Sequence, residues 1–79
     1  MHFLIEYDRQ KGLIVSMRVF DDSEREQAED HRLRLELDLN RAGVEHEVVM
    51  LEANSEEALR LTHRRYFENL SELVNTPRD

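Results

Sequence analysis

The sequence predicts an α/β (α+β) domain: a two-layer sandwich of order ββαβα, with a three-stranded, mainly antiparallel sheet and two helices on one face. Three observations lead there. Two apolar, β-prone runs are joined by a short polar link, capping signatures open two stretches of helix-forming residues, and a third apolar run lies between those stretches.

Residues 2–7 and 13–20 are the first two predicted strands. Asp8-Arg9-Gln10-Lys11-Gly12 joins them, a hairpin link longer than two residues and closed by a glycine able to take positive φ. Phe3, Ile5 and Tyr7 share one face of the first strand, opposite Leu4 and Glu6. In the second, Leu13, Val15, Met17 and Val19 alternate with Ile14, Ser16, Arg18 and Phe20, which predicts one well-buried face.

Asp21 with Glu24 and Ser23 with Glu26 both have capping-box spacing, so a helix is expected to begin here. From Glu24 to about Arg41 there is no β-branched residue, Gly or Pro, and Gly43 follows as a C-terminal cap. Leu33, Leu35, Leu37 and Leu39 alternate, which is a strand period, but Arg32, Arg34, Glu36 and Asp38 would make a poor strand face. On a helix, Ala28, His31, Leu35, Leu39 and Ala42 form one stripe, while Leu33 and Leu37 project from nearly the opposite side. A helix apolar on two sides predicts two packing partners: its own sheet and something else.

Residues 44–51 read as a third strand, apolar toward its end and covered there on both faces. Asn54 or Ser55 then caps a second helix. Leu59, His63, Tyr66, Phe67, Leu70, Leu73 and Val74 follow at helical spacing, which predicts a helix to about Val74, with a possible break at Asn69-Leu70-Ser71. Residues 1–75 make one domain and 76–79 a loose tail. In order of elements alone the arrangement resembles a ferredoxin-like domain lacking a strand, and fold order carries no function by itself.

Acidic residues outnumber basic ones, 18 to 11, for a formal net charge of -7, which argues against nucleic-acid and anionic-lipid partners. Cysteine is absent, so there is no disulfide, thiolate metal site or thiol nucleophile; a reducing, cytoplasmic setting is the expectation. The run Met1–Glu6 is too short for a secretion signal, and no segment approaches the roughly 20 apolar residues that span a bilayer. A single core of this size rarely supplies more than ~3–5 kcal/mol, so small scaffolds often add a partner subunit.

No catalytic motif emerges. His2, His31, His46 and His63 fall on four different elements, and Met50 stands where a His-Glu-x-x-His pair would need its second histidine. Gly12 and Gly43 are the only glycines, and neither lies in a link opening a helix, which excludes a phosphate-cradling loop. No nucleophile elbow surrounds any serine. Neither a cofactor nor a metal is implied, and the chain is not expected to be an enzyme.

The expectation is therefore a non-catalytic interaction module, a homodimer or partner-binding domain, with Leu33 and Leu37 at the interface. The alternative is a nucleic-acid or phosphate-ligand binder. It rests on Arg60, His63, Arg64 and Arg65 before Tyr66 and Phe67, a basic stretch with aromatics. Helical spacing offers those residues a structural use instead, with Arg60 paired to Glu56 and an aromatic ring in the core.

Overall fold

Strand β1 (His2–Asp8) lies at the centre of a three-stranded antiparallel sheet, between β2 (Leu13–Phe20) and β3 (Glu47–Glu52). The computed structural model describes residues 1–67 of the chain. The order ββαβα and the antiparallel pairing are those the sequence predicts. Because β2 and β3 each run against β1, they are parallel to one another, and both are sheet edges.

The hairpin link closes as its residues dictate. Asp8 Oδ1 accepts from the amides of Gln10 and Lys11 at 3.0 and 3.1 Å, and Gly12 takes φ 67° while its amide donates to the Asp8 carbonyl at 2.8 Å. The second strand departs from expectation. Glu6 faces Ser16 but Tyr7 faces Ile14, so Val15 is an extra, unpaired residue, a β-bulge. The bulge shifts the alternation, and β2 is an edge, so the predicted buried face does not form. Only Phe20 is buried, whereas Leu13, Val15 and Val19 are exposed.

A single 3-10 turn over Asp22–Glu24 leads into helix α1 (Arg25–Ala42). The Asp21–Glu24 pair forms the capping box: the Asp21 amide donates to Glu24 Oε1 at 2.9 Å, and the Asp21 side chain accepts in return. Gly43 ends the helix in the left-handed region at φ 69°, with the Val44 amide donating to the Leu39 carbonyl at 2.9 Å. The third strand starts at Glu47, so residues 44–46 lie outside the ladder. Helix α2 (Glu56–Thr62) is capped by the Ser55 hydroxyl, which accepts from the Ala58 amide at 3.0 Å.

The two helices lie on opposite faces of the sheet, which corrects the two-layer expectation. Leu4 and Phe20 pack with Ala28 of α1, joined by Leu35, Val48 and Met50. Phe3, Ile5 and Tyr7 pack with Leu59 of α2 and with Tyr66 on the other side. The reason is the composition of β1: Phe3, Leu4 and Ile5 are all at most 3 % exposed, and a strand apolar on both faces needs a layer on each. The result is a helix–sheet–helix arrangement, unlike the one-faced layout that the resemblance in element order implied.

The second helix is also shorter than predicted. The Thr62 hydroxyl donates back to the Ala58 carbonyl at 3.0 Å, a bond that competes with straight helix, and His63 leaves the helical region. A 3-10 turn over Arg64–Tyr66 follows and places the Tyr66 ring edge-on to Tyr7, centroids 5.1 Å apart. The predicted continuation through Leu70, Leu73 and Val74, the break at Asn69-Leu70-Ser71 and the tail lie outside the described residues.

Candidate functional site

Helix α1 has the two-sided character its leucines predict. Ala28 is buried and His31, Leu35 and Leu39 are half-buried against the sheet, although Ala42 is exposed. On the opposite side Leu33 is 57 % and Leu37 45 % exposed, one turn apart. Arg32 beside them pairs with Glu36 at 3.7 Å and with Glu29 at 4.0 Å, so charged pairs border the apolar strip. A second open apolar region lies on β2, where Leu13, Val15 and Val19 are 37, 51 and 45 % exposed along a strand that has no neighbour on its outer side among the described residues.

The basic stretch is largely committed to its own fold. Arg60 donates to Glu56 Oε2 through Nη2 at 2.8 Å and Nε at 3.1 Å, and its guanidinium lies 4.6 Å from the Phe67 ring centre. Arg65 donates to the Tyr66 hydroxyl at 2.7 Å and to Glu47 Oε2 at 3.3 Å. Tyr66 is buried and its hydroxyl donates to the same carboxylate oxygen at 2.9 Å. Burial, then the bond to Glu47, raises the Tyr66 phenol; the Tyr66 bond raises the Arg65 guanidinium, which therefore stays charged. His63 is half-buried where α2 ends, and Arg64 is exposed on the 3-10 turn. A stacking platform needs open aromatic faces, and here the rings of Tyr66 and Phe67 are covered by the protein's own arginines.

Two polar clusters escaped the sequence reading. His46, just ahead of β3, places Nδ1 2.6 Å from Glu6 Oε2 and Nε2 3.5 Å from Asp8 Oδ2. Ser16 donates to the other Glu6 oxygen at 3.4 Å. The Lys11 amide, with smaller help from Gln10 and His46, holds the Asp8 carboxyl below its ordinary range. Both ring nitrogens of His46 thus face carboxylates, and the Ser16 hydroxyl is turned to Glu6. The cluster is a clamp between β1 and the entry to β3. The one signal was Glu6, a lone charge in the apolar run Phe3–Tyr7.

His2, Asp22 and Glu52 are the second cluster, with one ligand atom from each within 4.8 Å of the others. The donor set suits a divalent cation, but the Met1 amino group already lies 2.8 Å from Asp22 Oδ1, and Arg25 and Arg32 line the same cleft of about 430 Å³. These cations offset the carboxylates locally.

No protein-family model, curated protein or solved structure matches the chain. The fold and these surfaces define a small helix–sheet–helix α/β protein, and the described residues include no helix long and apolar enough to cross a membrane.

Proposed function

We propose that the chain is a non-catalytic interaction module that works as a homodimer, in a cytoplasmic setting. The observation that carries the reading is the outer face of α1, where Leu33 and Leu37 stand 57 % and 45 % exposed on the side away from the helix's own packed stripe. The exposed apolar edge of β2 points the same way. Apolar contacts of this kind supply affinity, while a net charge of -7 limits indiscriminate association. The histidine clamp supports the non-catalytic part, because its imidazole is held between two carboxylates. The alternative, an anion or RNA contact through Arg60, His63, Arg64 and Arg65, is weakened by the bonds that tie Arg60 to Glu56 and Arg65 to Glu47.

Sedimentation across a wide range of protein concentration tests the proposal. A concentration-dependent dimer is expected, and a strict monomer at the highest concentrations would overturn it.

A further inference from the structure

We infer that the second copy of the chain adds at the β2 edge, antiparallel, about a two-fold axis through Met17, giving a continuous six-stranded sheet. The inference rests on the homodimer reading and places its contact at the exposed apolar edge of β2 instead of at Leu33 and Leu37.

Three features select this edge. First, among the described residues no strand lies beside the outer backbone of β2, and an exposed strand carrying Leu13, Val15 and Val19 is a template for another strand. Second, Leu13–Phe20 contains no acidic residue, in a chain where 18 of 79 residues are acidic. Two copies with a net charge of -7 each repel, and they approach at lowest electrostatic cost where neither presents a carboxylate. Third, the other edge lacks this property: β3 begins with Glu47 and ends with Glu52, so a second copy approaching it meets a carboxylate at each end of the strand. Joining β2 of one copy to β3 of the next is not two-fold and would propagate into open assemblies.

The side chains choose the register. A two-fold axis normal to the sheet keeps each face continuous only if it passes through a residue, so that directly opposed side chains lie on the same face. With the axis at Met17, Met17 meets its own counterpart on the α2 face, and Ser16 meets the second copy's Arg18 on the α1 face. Within the regular stretch Ser16–Arg18, apolar then faces apolar and polar faces polar. An axis at Arg18 would oppose two like charges. The Met17–Met17 and Ser16–Arg18 pairs lie beyond the bulge at Val15. Arg18 of the second copy comes into the same cross-strand row as Ser16 and Glu6, which already face each other, and so brings positive charge toward a carboxylate.

The chain has no cysteine, so one substitution creates one thiol. Met17→Cys places two thiols across the axis on residues about 4.5–5.5 Å apart at Cα, within disulfide reach. In a glutathione redox buffer Met17→Cys is expected to form a covalent dimer, and Leu33→Cys is not. Met17 is half-buried, so a second variant keeps the test independent of its folding: the exposed pair Val15→Lys with Val19→Lys should raise the dimer dissociation constant at least about tenfold with an unchanged circular dichroism spectrum. Leu33→Asn with Leu37→Asn should leave it unchanged. A wild-type dimer that cross-links through Leu33→Cys and survives the β2 lysines would overturn the strand pairing and leave the homodimer standing; a wild type that never dimerises would overturn both.

Discussion

Nδ1 of His46 and Oε2 of Glu6 lie 2.6 Å apart, joining residues 40 positions apart in the chain, and the glutamate is only 8 % exposed. A carboxylate so placed on the central strand is tolerable because the imidazole answers one oxygen and Ser16 the other. Removing the partner leaves the charge buried. His46→Ala is therefore expected to cost about 2–3 kcal/mol in urea unfolding, more than Glu6→Gln, which removes the charge and keeps the shape. A loss below about 0.5 kcal/mol would show that water replaces the imidazole.

The acid limb of stability belongs to Asp8 and Asp22. The Lys11 amide leads in holding Asp8 below its ordinary 3.8, and the Met1 amino group leads for Asp22. A carboxyl depressed in the folded state stabilises the fold above its unfolded value, and that contribution is lost as pH falls through the folded value. The melting temperature should hold steady in mild acid and decline below about pH 4. Asp8→Asn should flatten part of the decline; an unaltered acid limb would remove Asp8 from the account.

Tyr66 sets the opposite limb. Its phenol is raised above 10.0 by burial and by the Glu47 bond. For a group raised in the folded state, the stability is fully present below the unfolded value and is lost as pH rises through the folded one. Stability should thus fall from about pH 10 upward, and Tyr66→Phe should abolish that slope while costing about 1 kcal/mol at neutral pH for the lost hydroxyl bond. Absorbance at the phenolate band, titrated in the wild type and in Tyr66→Phe, gives the Tyr66 ionisation by difference.

Gly43 isolates a backbone term. A Cβ added there meets no atom within 4 Å, yet φ is +69°, where side-chain-bearing residues are strained. Gly43→Ala should cost about 1 kcal/mol, or roughly 4–8 °C of melting temperature, and Gly43→Asn clearly less. Equal losses for the two would mean that crowding, not φ, decides the position.

What was legible in the sequence was local. The Asp21–Glu24 box, the Gly43 stop, the Gly12 turn and the outward leucines of α1 each depend on residues within one or two turns of each other, and each stands in the structure as its spacing implies. What the sequence hid was long-range or cooperative. Nothing near His46 points to Glu6 and Asp8, which reach it through strand pairing. The helix on the far face was signalled by Phe3, Leu4 and Ile5, apolar on both sides, but a run of that kind also fits a strand waiting for a partner. The bulge at Val15 turned an apparently regular alternation into an exposed edge, and alternation alone cannot show where a strand will slip by one residue.

Salt separates the two functional readings by sign. Each chain carries a net charge of -7, so a dimer formed through apolar contacts must overcome repulsion between like-charged surfaces. Screening shortens that repulsion from about 30 Å at 0.01 M salt to about 10 Å at 0.1 M. The dimer dissociation constant should therefore fall a few-fold as salt is raised through that range, or stay level if the charges lie far from the interface. Binding of a phosphate chain to Arg60, Arg64 and Arg65 would weaken with salt, because each neutralised phosphate releases counterions. Sedimentation at two salt concentrations, repeated with a short single-stranded RNA, reads both. A dimer that loosens as salt rises would mean that ion pairs such as Arg18 with Glu6 of the facing copy dominate the contact.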